Sequence, residues 1–204
     1  IAVQSTVESL KDLPYISCDN YELGQRLAEK LISDLNSKAG KIIILRNSMA
    51  CSNIDQRYKG VLSVLTRNGF TIDYGDIPDD PRAAGEAAEK ILQSSDAAAI
   101  VAFDGATLEA VGKAKQDLMK VGSVQTKIYG LGRTNAVVSL LENQVISTIG
   151  VEHEYNLGYL SIQSAVNHIN KKADSTNAWI NYKIVDYHNM YNSDNQCLLF
   201  PFVG

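Results

Sequence analysis

Five polar side chains stand where they could bind a hydroxylated ligand. Asp19 follows the apolar run Tyr15–Cys18, and Asp104 follows Ala98–Phe103. Asn53 and Arg57 lie four residues apart in the first turns of a helix after Ile42–Leu45, and Arg133 follows Ile128–Leu131 by one glycine. A carboxylate accepts from vicinal hydroxyls, while a guanidinium donates in a planar fork. Gathered around one crevice, two acids and two arginines suit a sugar, a polyol or a small zwitterion better than an apolar ligand. Each residue alone serves as readily as a helix cap or a surface charge. The binding reading therefore requires the fold to bring positions 19 to 133 onto a single rim.

Other chemistry finds little support. There is no G-x-S-x-G elbow, and the three histidines (His153, His168, His188) fall in the last quarter of the chain. Cys18, Cys51 and Cys197 are far apart, with no C-x-x-C pair, so a disulfide framework is not expected. Cys18 reads as a small buried hydrophobe. Glu152-His153-Glu154 resembles a metal cluster, but neighbours on a helix point about 100° apart and do not converge as H-E-x-x-H ligands do. These three read as a solvated helix start. Gly130-Leu131-Gly132-Arg133-Thr134-Asn135 resembles a dinucleotide loop without its third glycine, and no P-loop lysine motif occurs. The expectation is no cofactor, no metal and no enzymatic activity, with a nucleotide-binding enzyme as the weakest alternative.

The 204 residues are 45% hydrophobic with a formal net charge of −4, and no basic cluster provides a nucleic-acid footprint in this segment. No run of about 18 apolar residues spans a membrane. The dominant rhythm is a short apolar run, a polar turn and an amphipathic helix. Lys41–Arg46, Ala97–Phe103, Lys127–Leu131 and Val145–Ile149 are brief and do not alternate, as strands buried on both faces of a parallel sheet do not. Thr71–Tyr74, Pro14–Cys18 and Ile1–Ser5 are further strands. Helices are expected over Asn20–Leu35, Asn53–Thr66, Ala106–Leu118 and His153–Asn170, the last burying Leu157, Leu160, Ala165 and Ile169. A further helix opens at Asp80-Pro81, with Asp80 as its N-cap. Lys172–Asn177 reads as a linker or exposed turn, Trp179–Tyr187 as a strand, and Tyr191–Gly204 ends in the apolar tail Cys197–Val203. The pattern is an α/β doubly wound parallel sheet, whose ligands bind outside the carboxyl ends of the strands.

Several segments in order resemble the type I periplasmic-binding-protein superfamily, which includes sugar-binding proteins of ABC importers and effector domains of lac-repressor-type regulators. Asp19 with Gly24 resembles its D-x4-G motif, and Arg57-Tyr58-Lys59-Gly60 its R-x-x-G helix. Ala99–Asp104, Tyr129–Arg133 and Val145–Ile149 with Gly158 resemble three later motifs. The resemblance implies two lobes closing on a ligand, the second holding 19–150 and 186–204. The first would hold 1–18 and 151–185, and is incomplete by a run of about 80 residues. It also implies that Asp19, Asn53, Arg57 and Asp104 face the ligand. Gly132 stands where the family has an acid, Val151 where it has a polar residue, and no aromatic platform lies near Asp80. These departures point away from a plain hexose or pentose, and Arg133 points toward a ligand with an acidic group. The function implied is non-enzymatic binding of a small, sugar-like solute, with a membrane permease or sensor kinase as partner and an extracytoplasmic location. The alternative is a cytoplasmic regulator's effector domain.

Overall fold

The computed structural model describes residues 1–6, 9, 13–35, 40–47, 51–171 and 177–200. Ala2–Val3 (β1) and Tyr15–Ser17 (β2) lead into the helix Asn20–Leu35 (α1). Four strand–helix pairs follow. They are Lys41–Arg46 (β3) with Ser52–Arg67 (α2), Thr71–Asp76 (β4) with Pro81–Ser94 (α3), Ala99–Ala102 (β5) with Gly105–Met119 (α4), and Lys127–Leu131 (β6) with Asn135–Glu142 (α5). Thr148–Glu152 (β7), Glu154–Ile169 (α6), Ala178–Trp179 (β8), Tyr182–Asp186 (β9) and Ser193–Leu199 (α7) complete the order.

The strands form two sheets. The larger runs β4-β3-β5-β6-β7-β9, parallel except for β9, which is antiparallel to β7. The smaller is β1-β2-β8, all parallel. Buried runs such as Ile42–Leu45 and Ala99–Ala102 have apolar layers on both faces, as their unbroken hydrophobicity requires. One layer joins α1 and α2 to the sheet; the other joins α3, α4, α5 and α7. Asp80 caps α3 by accepting from Ala83 N at 2.9 Å, with Pro81 at the first helical position.

Helices α1 and α2 cross at glycines. A Cβ on Gly24 would lie 2.2 Å from the Arg57 carbonyl oxygen, and one on Gly60 would lie 2.1 Å from that of Tyr21. Only hydrogen fits at either place, so D-x4-G and R-x-x-G are two halves of one helix contact. That contact carries Arg57 to the start of α1.

Four expectations are corrected. The strand read at Val145–Ile149 lies at Thr148–Glu152, because Val145 and Ile146 pack into the core at the end of α5 instead. Trp179–Tyr187 is two strands in different sheets, with the chain crossing at Ile180–Asn181. The apolar tail contains a short helix, α7, that buries Leu198 and Leu199; residues 201–204 lie outside the described residues. Ile169 is 77% exposed, on the opposite side of α6 from Leu157 and Leu160. Of the turn at Lys172–Asn177, only Asn177 is described, its side-chain oxygen accepting from Tyr15 N at 2.9 Å.

Candidate functional site

In the larger sheet β3 is flanked by β4 on one side and β5 on the other, so the winding direction reverses between β3 and β5. Crevices of doubly wound sheets open at such a reversal, outside the strand carboxyl ends. A cavity of about 570 Å³ lies there. Leu45, Arg46 and Asn47 line it from the end of β3, Phe103 and Asp104 from the end of β5, and Ser52 and Tyr58 from α2.

Asp104 faces this cavity and is also the N-cap of α4. Its Oδ1 accepts from Thr107 N at 2.9 Å and its Oδ2 from Asn47 Nδ2 at 2.7 Å. Asn47 also donates to Thr107 Oγ1 at 3.1 Å, which fixes both side chains at the strand edge. One wall of the cavity is aromatic. The rings of Tyr58 and Phe103 meet edge-to-face with centroids 6.0 Å apart. The Tyr58 hydroxyl lies 3.0 Å from that of Tyr74, and that hydrogen bond, with burial, pushes it up to about 12, so it stays a neutral phenol. Arg46 lies over the Tyr74 ring at 4.9 Å and pairs with Asp76 at 2.8 Å.

Arg57 sits immediately behind Phe103, buried and held at three points. Nε donates to Asn20 Oδ1 at 2.7 Å, Nη1 to the Phe103 carbonyl at 3.3 Å, and Nη2 pairs with Glu152 Oε1 at 2.9 Å. Glu152 also accepts from Cys18 Sγ at 2.8 Å and from Gln4 Nε2 at 2.8 Å. Burial, and then the Glu152 charge, push the Cys18 thiol well up, so it remains a thiol. This polar knot ties together β1, β2, α1, α2 and β7 where the chain passes between the two sheets. Ser52 adds a second tie: its Oγ accepts from Thr6 N at 2.9 Å and lies 3.0 Å from Ser5 Oγ.

The five expected residues thus do not share one rim. Asp104 lines the cavity and Arg57 stands directly behind it. Asn53 lies in the first turn of α2, half-buried, with its Oδ1 buried and without a hydrogen-bond partner. Asp19 is exposed, caps α1 through Glu22 N at 2.8 Å, and borders a different depression beside Trp179 and Arg26. Arg133 pairs with Glu154 at 2.7 Å and donates to the Leu199 carbonyl at 3.4 Å, joining the start of α6 to the end of α7. Neither lines the cavity at the β3–β5 reversal. Gly132 has φ of +136° and lies against Gly105, with 2.7 Å between a built Cβ and Gly105 Cα, so no acid fits at that position.

Sequence reasoning missed Asn20, Asn47, Glu152 and the Tyr58–Phe103 wall. Strand alternation carried the signal for Glu152: Val151 and Ile149 pack into one layer, which turns Glu152 the other way, toward Arg57. Glu152 and Glu154 therefore serve different arginines. Among the described residues no group of His, Cys, Asp and Glu is placed to hold a metal ion. No helix there is long and apolar enough to cross a membrane.

Comparison with curated protein sequences finds no match. Among solved structures, a carbohydrate transporter solute-binding protein from Agrobacterium radiobacter in complex with D-arabinose superposes with a TM-score of 0.82 at 18% identity, over 91% of this chain and 65% of that one. An ABC transporter solute-binding protein from Agrobacterium vitis with bound D-fucose gives 0.82 at 15% identity, over 92% and 64%. The XylFII–LytSN complex gives 0.73 at 17% identity, over 88% and 70%. The chain thus spans just under two thirds of the length of the first two relatives. The likeness establishes the fold, an α/β periplasmic-binding-protein architecture. A model of the periplasmic binding protein domain matches residues 1–173, and the chain belongs to that family.

Proposed function

We propose that this protein is a non-enzymatic solute-binding protein that holds a neutral, polyhydroxylated ligand of monosaccharide size in the crevice between the ends of β3 and β5. The observation that carries this reading is the pairing of Asp104 with an aromatic wall in one cavity of about 570 Å³. Asp104 has each oxygen engaged once, so each retains acceptor capacity for a ligand hydroxyl. The Tyr58 and Phe103 rings offer the apolar surface on which the C–H face of a sugar packs. Arg57, held behind Phe103 by Asn20, the Phe103 carbonyl and Glu152, backs this wall from inside. Both guanidiniums expected at the site are already paired with carboxylates, Arg57 with Glu152 and Arg133 with Glu154. A neutral sugar therefore fits better than an acidic one. The sugars held by the two Agrobacterium relatives support the same class.

The two sheets are read as the cores of two lobes that close on the ligand, with crossings at Cys18–Asp19, His153 and Ile180–Asn181. A ligand that touches both lobes binds the closed state better and shifts the population toward it. The role that follows is solute capture outside the cytoplasm for an ABC importer permease or a sensor partner. The relative solved in complex with LytSN supports a protein partner.

Titration calorimetry of the full gene product against D-arabinose, D-fucose and a panel of hexoses and polyols tests this. At least one sugar binds, and Asp104→Ala weakens it by about ten- to hundred-fold, the loss of one or two hydrogen bonds to a charged acceptor. Asp80→Ala removes a comparable helix cap elsewhere and leaves affinity unchanged. No heat across the panel, or equal loss in the two variants, rejects the proposal.

A further inference from the structure

The aromatic wall of the β3–β5 cavity is fastened by side chains that do not line it. Tyr58 on α2 and Arg46 at the end of β3 line the cavity, while Tyr74 and Asp76 lie on the edge strand β4. β3 and β4 are parallel, with Ile44 opposite Tyr74 and Arg46 opposite Asp76. Residues two apart on a strand share a face. Arg46, Tyr74 and Asp76 therefore stand on the same face as Ile44, the one that α1 and α2 cover. Contacts then run in series toward the cavity. Asp76 Oδ1 accepts from Arg46 Nε at 3.0 Å and from Nη2 at 2.8 Å. The Arg46 guanidinium carbon lies 4.9 Å from the centre of the Tyr74 ring. The Tyr74 and Tyr58 hydroxyls are 3.0 Å apart, and the Tyr58 ring meets Phe103 edge-to-face.

Each link restricts the next. The carboxylate takes two N–H groups of one guanidinium, which fixes its plane. The fixed plane limits the Tyr74 ring, which is 41% exposed and would otherwise exchange rotamers. The hydroxyl contact in turn sets where the far end of Tyr58 lies. Core packing alone does not do this, because Tyr58 is only half-buried and sits at the margin of the apolar layer. A turn of the Tyr58 ring would give up the edge-to-face geometry with Phe103 and change the surface that the cavity presents.

We infer that Tyr74 is a positioning residue for the sugar site: clamped by Arg46 and Asp76, it holds the Tyr58 ring in place as the wall on which the ligand packs. The inference rests on the crevice reading given above. It makes a residue outside the cavity a determinant of both affinity and selectivity. A wall ordered before binding costs the ligand no ring ordering, so affinity is higher. A fixed wall also distinguishes sugars whose faces differ by one hydroxyl, where a mobile ring would adjust to either.

The test is Tyr74→Phe, titrated by calorimetry with a sugar that binds the unmodified protein and with that sugar's epimer at one carbon. Affinity falls by about five-fold, the worth of one neutral hydrogen bond, and the preference between the epimers narrows. Tyr58→Phe gives a similar loss, and the double variant loses no more than the larger single one. Tyr191→Phe removes a tyrosine hydroxyl bonded elsewhere, to Glu142, and leaves affinity unchanged. NMR of tyrosine labelled at Cζ gives a readout that needs no ligand. The Tyr74 hydrogen bond, with burial, holds the Tyr58 phenol up at about 12, and in Tyr74→Phe it titrates nearer 10. An unmoved Tyr58 titration, unchanged affinity in Tyr74→Phe or additive losses in the double variant overturn the inference, while Asp104→Ala still decides the crevice reading separately. Failure of every sugar to bind the unmodified protein defeats the crevice reading and this inference with it.

Discussion

Arg57 and Glu152, 95 positions apart, form a buried ion pair of 2.9 Å where the chain passes between its two sheets. Their side chains are 8% and 14% exposed. The pair is not a surface contact of small consequence, because each charge has lost most of its water and relies on the other and on its hydrogen bonds. Asn20, the Phe103 carbonyl, Cys18 and Gln4 supply those bonds. Placing Arg57 behind the β3–β5 cavity and fastening the crossings are therefore one structural act.

Removing one partner strands the other charge. Glu152→Ala is expected to destabilise the fold by about 3 kcal/mol, the usual cost of breaking a buried pair from one side. Urea unfolding followed by circular dichroism measures it. Arg133→Ala breaks a pair whose acid, Glu154, is 53% exposed, and costs less than about 1 kcal/mol. Comparable losses in the two variants contradict the distinction drawn between them.

The glycine crossing makes a sharper prediction. Gly24→Ala or Gly60→Ala drives a methyl into a backbone carbonyl that cannot step aside, forcing α1 and α2 apart at a cost of about 2–3 kcal/mol. The same substitution at Gly85 in α3 meets nothing within 4 Å and stabilises by about 0.5–1 kcal/mol. Opposite signs in the three melting curves support the close contact. A mild effect at Gly24 would show that the helices cross more loosely.

A buried lysine sets a pH dependence. Lys115 on α4 is 6% exposed, and burial, followed by the Lys127 charge, pulls its ammonium from 10.5 down to about 8. The unfolded chain then binds more protons than the native one between these values, so native stability rises as pH climbs from about 8 to 10.5. Below that window the penalty is full and constant. Lys115→Met removes it, gaining on the order of 2 kcal/mol at pH 7, with the advantage shrinking as the pH is raised through the window. Parallel stability curves for the two proteins contradict this.

Much of the architecture was legible in the sequence, because its signals are local. Unbroken runs such as Ile42–Leu45 announce strands covered on both faces, and Asp80-Pro81 announces a helix start. The cavity's lining was legible only where a polar residue also ends a strand, as Asp104 does. Asp19 and Arg133 carry the same local signature, yet they lie away from this cavity, Asp19 capping α1 and Arg133 paired with Glu154. Those are contacts set by the backbone turn and by tertiary packing. Glu152 was hidden by a boundary three residues out of register, since Val145 and Ile146 mimic a strand while packing as a loop. Ile169 misled for a further reason: a helix with two apolar faces does not say which one this chain covers.

The central claim, that a neutral sugar sits at the reversal between β3 and β5, is tested most directly by residue-resolved NMR during titration with whichever sugar binds in calorimetry. The account predicts that the amide signals of Asn47, Tyr58 and Asp104 move together with a common saturation curve, while those of Asp19 and Arg133 stay in place. Movement centred on Asp19 or Arg133, with Asp104 and Tyr58 unperturbed, would contradict it.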